Sequence, residues 1–332
     1  MNKARLRASF SRALVTGGAG FIGSHLVDGL MKERVRVTVL DDLSSGRRKN
    51  IERWLNHERF QFAEGDLKNL GDVEEAGENA ELVFHLAANP EVQVGATDPS
   101  VHFDENLVAT FNLLEAMRKT DLTKSLVFSS TSTVYGEAEV MPTPEDYGPL
   151  IPISTYGASK LGCEALVCSY AYTFGLRALI LRIANIVGPR ATHGVIIDFI
   201  DKLEADPNRL EILGDGTQKK SYLHVEDCVG AFLHLTLQFM QSETRVAMYN
   251  VGSLDQVTVG KIAKIVVDAL GLQDVQFAFT GGVDGGRGWR GDVKVMLLSV
   301  EKLLKTGWKP KYTSEQAVRR AIEEILTEKS AL

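Results

Sequence analysis

Cysteine is scarce in this chain: three residues in 332, at Cys163, Cys168 and Cys228. An odd, scattered set without ligand spacing builds neither a disulfide framework nor a zinc site. Long apolar runs are absent too, and none approaches the ~18 residues of a membrane span. There is no extended Lys/Arg block. Acidic residues outnumber basic ones, 43 to 37, for a formal charge of −6. That balance argues against a nucleic-acid binder and against docking on an anionic membrane. Residues 1–12 are basic (Lys3, Arg5, Arg7, Arg12) but lack the apolar stretch of a secretion signal, and they read as a frayed extension. No internal repeat, low-complexity tract or long linker interrupts the chain. What remains is a protein expected in a reducing cytoplasm, with no metal and with length for two closely joined domains.

The first stretch that carries chemistry is a glycine turn. Ala13-Leu14-Val15-Thr16 is a short apolar run ending in Gly17-Gly18-Ala19-Gly20-Phe21-Ile22-Gly23, and a helical pattern follows from Ser24 to Met31. Strand, glycine turn and helix start are the context of a phosphate-binding loop. Gly17 allows the tight turn, Gly20 lets a pyrophosphate approach the backbone, and Gly23 lets the helix pack on the strand. The next strand, Val35–Leu40, runs into Asp41 and Asp42. An acid there accepts hydrogen bonds from ribose hydroxyls and repels a 2′-phosphate, which favours NAD over NADP. Arg47 and Arg48 argue the other way. Asp66, after strand Phe60–Phe62, reads as a partner for the adenine amino group, or else as a turn residue or helix cap. Strand Leu82–Leu86 ends in Ala87-Ala88, small residues that suit close approach to a cofactor.

An amphipathic helix over Asn106–Met117 and a strand over Ser125–Phe128 continue the alternation. Alternating strands and helices predict a doubly wound parallel sheet, with ligands bound outside the carboxyl ends of its strands. The hydroxyl cluster Ser129-Ser130-Thr131-Ser132-Thr133 falls at that end. So does Thr155-Tyr156-Gly157-Ala158-Ser159-Lys160. Tyr156 and Lys160 share one helix face. A nearby ammonium lowers a tyrosine's pKa. Bringing it from ~10 to near neutrality takes roughly 4 kcal/mol, of which lysine supplies part and a cationic cofactor ring more. The product is a tyrosine poised for proton transfer to a hydroxyl. Taken alone, the pair could equally be a surface Tyr and a surface Lys.

Seven blocks in order remove that ambiguity: Thr16–Gly23, His85–Ala88, Ser129–Gly136, Tyr156–Lys160, Arg182–Arg190, Gly214–Thr217 and Tyr222–Asp227. On these the chain resembles the extended short-chain dehydrogenase/reductase family over nearly its whole length. The resemblance implies an α/β fold with a Rossmann-type domain (11–188 plus 221–252) and a smaller C-terminal α/β substrate domain (189–220 and 253–330). It implies Tyr156 as acid/base, Lys160 as its pKa-lowering partner on the nicotinamide ribose, and Thr131 as the catalytic hydroxyl. NAD would be bound by Gly17, Gly20, Phe21, Ile22, Gly23, Asp41, Asp42, Ser45, Gly46, Asp66, Leu67, Leu86, Ala87, Ala88, Asn106 and Ser129, with Tyr156 and Lys160.

The same resemblance implies a nucleotide-sugar substrate held by Thr131, Asn185, Val195, Ile196, Lys220, Arg287 and Asp292. The family pattern Arg-x-x-Asp is broken here. Trp289 stands three before Asp292, so Arg287 is the expected grip on the diphosphate, with Arg290 as the other choice. Lys220 replaces a usual Arg and gives looser geometry. Met296 matches a position whose bulk governs N-acetyl sugars. The residues after Thr131 indicate the reaction. Relatives that dehydrate nucleotide sugars carry Thr-Asp-Glu, and decarboxylating ones keep a Glu in the third place. Thr131-Ser132-Thr133 has neither carboxylate, so the equipment is that of 4-epimerisation of a UDP-hexose, UDP-glucose or UDP-galactose, through a 4-keto sugar. UDP-N-acetylhexosamine epimerisation, 4,6-dehydration, decarboxylation and 4-keto reduction are the competing activities, and an NAD-sensing protein would not need the triad. Helices 106–117 and 157–173 are apolar on more than one face. In the family such helices form a dimeric four-helix bundle, which implies a homodimer.

Overall fold

The computed structural model describes residues 6–120 and 123–330. They divide into two compact units. One runs to Thr131 and adds Thr155–Arg182 and Val229–Tyr249; the other comprises Ser132–Ser154, Ile183–Cys228 and the chain from Asn250 onward.

The first unit is built on a seven-stranded sheet. Its strands are β1 (Arg12–Thr16), β2 (Arg36–Asp41), β3 (Phe60–Glu64), β4 (Leu82–His85), β5 (Ser125–Thr131), β6 (Arg177–Ile183) and β7 (Val246–Val251), in the order β7-β6-β5-β4-β1-β2-β3. The pairs β1–β2, β2–β3, β1–β4 and β4–β5 are parallel. Leu14, Val15, Val37, Val39, Val83, Phe84 and Phe128 are fully buried, as expected of strands covered on both faces. The chain leaves β1 towards β2 and β3, then returns to β4 on the other side of β1. The ends of β1 and β4 therefore flank the switch point where such sheets bind ligands. Helices α1 (Phe21–Lys32), α2 (Leu70–Gly77), α3 (Ala109–Lys119) and α4 (Thr155–Phe174) belong to this unit. Leu113, Leu114 and Met117 of α3 and Cys163 and Val167 of α4 join Leu14, Val83 and Phe128 in one core.

Three elements depart from the sequence expectation. The stretch over Asn106–Met117 is two pieces: Phe103–Val108 winds as a π-helix and α3 begins only at Ala109. Strand β5 does not stop at Phe128 but continues to Thr131, so its hydroxyls are buried strand residues rather than an open cluster. Residues 1–5 lie outside the described residues, but the rest of the supposed frayed extension is folded. Leu6–Ala8 forms a 3-10 turn, Leu6 and Phe10 are buried, and the Phe10 ring lies 6.2 Å from that of Phe84.

The second unit holds three small sheets. Asn185–Val187 pairs in parallel with Tyr222–His224, and Arg209–Ile212 with Gln276–Phe279. Lys219–Lys220 lies between Val257–Thr258 and Val295–Met296. Helices Val195–Ala205, Val259–Ala269 and Ser314–Ser330 meet over Phe199, Ile200, Ile262, Val266, Val318 and Ile322. Among the described residues, no helix is long and apolar enough to cross a membrane.

Phe10→Ala removes a ring that is 2% exposed. It is expected to cost about 3 kcal/mol, read as a lower denaturation midpoint. A midpoint unchanged from the parent would return this segment to a frayed extension.

Candidate active site

The glycine turn sits at the end of β1. Gly17 has φ +69°, and a Cβ there would stand 2.7 Å from the Ala87 nitrogen. A Cβ on Gly23 would stand 2.0 Å from the Gly17 carbonyl. Neither position tolerates a side chain, so turn, α1 and the end of β4 close on one another through bare backbone. Helix α1 starts after Gly20 with no side-chain cap and no acid in its first turn. Its first N–H groups and positive dipole end therefore offer a seat for a pyrophosphate.

Asp41 ends β2. Its Oδ2 accepts from Ala19 N–H at 2.8 Å and its Oδ1 from Leu43 N–H at 2.9 Å. Burial raises its pKa, opposed by these backbone bonds. Two bonds leave a carboxylate further lone pairs for ribose hydroxyls. A Cβ on Gly46 would meet Asp41 Oδ1 at 2.6 Å, so Gly46 is bare for the same reason. Asp42 is exposed and accepts from Ser44; Ser45 is exposed beside it. Arg48, which argued for a 2′-phosphate, lies 5.2 Å over the Phe62 ring and 3.8 Å from Glu64. Asp66 accepts from Lys68 N–H at 2.8 Å, a turn-type bond, and Leu67 is buried in the core. Any cofactor contact by Leu67 is thus through its backbone.

Sequence reasoning missed a buried polar chain behind this turn. Thr110 Oγ donates to the Asn106 carbonyl at 2.7 Å. With that proton used, it accepts from His85 Nε2–H at 2.9 Å, which leaves His85 Nδ1 to accept from Thr16 Oγ at 2.7 Å. Burial, and behind it the charge of Lys160, push the His85 pKa down to about 3. His85 is neutral, as this tautomer requires. Asn106 extends the chain: its Oδ1 accepts from Asn89 N–H at 2.7 Å and its Nδ2 donates to Ser159 Oγ at 3.0 Å. Asn106 therefore ties the segment after β4 to α4. A histidine inside an apolar strand was the available signal.

Helix α4 carries the remaining groups. Tyr156 and Thr131 share a side-chain hydrogen bond. Lys160 is 3% exposed, with Nζ 4.3 Å from the centre of the Phe128 ring. His102 packs edge-on against Tyr156 at 5.6 Å and bonds to Thr155. Thr131 and Tyr156 are thus brought together, Lys160 lies one turn on along α4, and Ser129 is buried on β5. The electrostatics correct the sequence reading. Burial pushes Tyr156 up to about 12, and the Thr131 bond only partly offsets this. Burial also lowers Lys160. With the protein's own groups alone, Tyr156 is held protonated.

The substrate candidates fall in the second unit. Lys220 Nζ stands 2.5 Å from Asp292 Oδ1 and 5.7 Å from the Trp289 ring, and Asp292 Oδ2 accepts from Gly288 N–H. Lys220 and Asp292 are therefore together. Arg287 is bonded to Glu137 and to the Asp284 carbonyl; Arg290 is exposed. Asn185 opens its short strand. Val195 and Ile196 start a helix whose N-cap, Gly194, has φ +105° and no side-chain cap. The Ile196 side chain is in the core, so its N–H is what it can offer an anion. Met296 is buried.

A sequence model described as the NAD dependent epimerase/dehydratase family matches residues 13–252. The chain belongs to this family. It is 32% identical over 314 residues to a putative UDP-glucose 4-epimerase of Methanocaldococcus jannaschii, covering 93% of this chain and 96% of that one. It superposes on a crystal structure of a UDP-galactose 4-epimerase with TM-score 0.85 and 46% identity, over 96% of this chain and 99% of the other. A Thermus thermophilus UDP-glucose 4-epimerase in complex with NAD superposes at TM-score 0.80 with 33% identity, over 94% and 98%. The cofactor of the family is NAD, and the side-chain-free turn, the uncapped α1 and Asp41 fit it.

His85 gives this epimerase/dehydratase a pH signature. Unfolded, it takes up a proton near pH 6.5; folded, only near pH 3. Its folded pKa is depressed, so its contribution is complete above ~6.5 and lost as pH falls towards 3, at about 1.4 kcal/mol per pH unit. Unfolding midpoints at pH 7 and pH 5 are expected to converge in His85→Gln relative to the parent. Equal pH sensitivity in both would contradict a neutral buried His85.

Proposed function

We propose that this enzyme is a UDP-hexose 4-epimerase interconverting UDP-glucose and UDP-galactose. The observation that carries it is the Thr131–Tyr156 hydrogen bond with Lys160 one turn on, at a strand end followed by Ser132 and Thr133 and by neither Asp nor Glu. Elimination or decarboxylation needs a second acid/base beside the tyrosine, and those positions hold hydroxyls. The resemblance to the UDP-galactose 4-epimerase structure at 46% identity supports the same reading.

Tyr156 takes the proton of the sugar's C4 hydroxyl, with Thr131 holding the oxygen in line. When bound, NAD supplies the acceptor for the C4 hydride and, through its cationic ring, positive charge that would bring Tyr156 below its resting value near 12. The 4-keto sugar turns over, and proton and hydride return to its opposite face. Atoms and electrons balance without net redox. Residues 11–188 and 221–252 would hold NAD, and 189–220 and 253–330 the nucleotide sugar. There the starts of Val195 and Ile196, with Asn185, Lys220, Asp292 and Arg287, would grip the nucleotide, and Arg287 must leave Glu137 to do so. We place the enzyme in the cytoplasm as a homodimer. Phe103, Phe111, Tyr172 and Phe174 lie exposed along α3, α4 and the π-helical turn, and this apolar surface matches a four-helix bundle between two copies.

Purified enzyme given UDP-galactose is expected to form UDP-glucose without added NAD. A 4-keto-6-deoxy product, or no product from any UDP-hexose, would overturn the assignment. Tyr156→Phe should lower turnover about 10²-fold or more, measured as kcat on UDP-galactose. Full activity would remove Tyr156 from proton transfer.

A further inference from the structure

Glu164 lies one turn past Lys160 and two past Tyr156 on α4, and nothing in the reaction above uses it. It is 3% exposed and faces an equally buried Arg182. The guanidinium binds it as a fork: Nε to Oε1 at 2.9 Å and a terminal nitrogen to Oε2 at 2.7 Å. Ser130 Oγ donates to the same Oε1 at 2.5 Å. A buried ion pair is weak evidence for stability, because apolar residues of similar volume often serve as well. Its geometry is the better clue. Ser130 immediately precedes Thr131, and both residues of β5 are bonded to α4, Ser130 at Glu164 and Thr131 at Tyr156. Two attachment points two helical turns apart fix the strand end in both position and direction. With the Thr131–Tyr156 bond alone, the direction of the Thr131 side chain would be less closely defined. Arg182, from β6, anchors the carboxylate from behind.

We infer that Glu164 is a positioning residue: held by Arg182, its carboxylate pins Ser130 and thereby sets the Thr131–Tyr156 hydrogen bond. The groups facing Lys160 and Tyr156 agree with this. His85 on β4 is neutral, and the Cys163 thiol is pushed up by burial. Glu164 itself favours the Lys160 ammonium, which burial disfavours. Thr131 lowers the Tyr156 pKa through the bond in question, so loosening the clamp must raise it.

This inference rests on the triad assigned above, and its test separates the two. Ser130→Ala cuts the clamp on the strand side and leaves the Glu164–Arg182 pair intact, so the fold is kept. Glu164→Leu with Arg182→Leu removes the clamp without stranding a buried charge. In the NAD-loaded enzyme the Tyr156 phenol is titrated by ultraviolet difference absorbance against Tyr156→Phe. Both variants are expected to move that titration up by about half a pH unit or more. They should also lower kcat on UDP-galactose roughly 3- to 10-fold, with KM within about twofold. A titration and kcat unchanged in Ser130→Ala overturn the inference, as does a loss confined to KM. If the parent enzyme converts no UDP-hexose, the proposed function fails, and the titration alone still decides the clamp.

Discussion

The structure depends on a row of buried hydrogen bonds that runs across the switch point of the sheet. Thr16 at the end of β1, His85 at the end of β4, Asn106 on the π-helical turn, Thr110 on α3, and Ser159 on α4 are linked through side-chain and carbonyl bonds of 2.7–3.0 Å. Each buried polar group finds its partner in the next, which is the condition for keeping such groups inside at all. The consequence is geometric. The turn that seats a pyrophosphate and the helix that carries Tyr156 and Lys160 cannot shift independently. The π-helical winding at Phe103–Val108 belongs to the same constraint, since it is what points Asn106 inward between the segment after β4 and Ser159. π-helical turns are inserted at functional sites for this kind of re-aiming.

The electrostatics add a second dependency. A tyrosine held near 12 and a lysine depressed by burial do not form a base between them. The interior that orients them also strips them of solvent, and for Tyr156 the loss of solvation exceeds what the Thr131 bond returns. The missing positive charge has to arrive with the cofactor. In the proposed mechanism, proton abstraction would then depend on the positive charge that NAD brings.

Much of this was legible in the chain. The glycine spacing, the acid after the second strand, the alternation of elements and the Tyr156–Lys160 pair each follow a local rule, and local rules survive folding. The errors share one cause. Residues 1–12 read as a frayed extension because basic residues were counted and the burial of Leu6 and Phe10 could not be. The tyrosine's pKa was reasoned from its neighbour's charge, because desolvation depends on everything packed around it. Arg287 was read from its place along the chain near Asp292, which gave no sign of its bond to Glu137, 150 residues away. His85 and Glu164 stood in or beside the recognised blocks, but their partners Thr16, Thr110, Ser130 and Arg182 come from other elements. Pairings across elements are what a single sequence does not spell out.

The absence of a carboxylate after Thr131 can now be weighed against the acids that are present. Asp41 is engaged by the glycine turn, Glu164 is locked to Arg182 and Ser130, and Asp292 is held by Lys220. Each is committed to a structural bond with well-defined geometry, and a carboxylate so committed is a poor shuttle for a second proton. The groups proposed for proton transfer near the end of β5 are then the Tyr156 phenol, the Lys160 ammonium and the Thr131 hydroxyl. In the proposed 4-epimerisation such a set would move a single proton in step with a single hydride, and because nothing in it consumes either, the same set would return them. The proposed reversibility without net redox change would rest on what these side chains are not free to do as much as on what Tyr156 can.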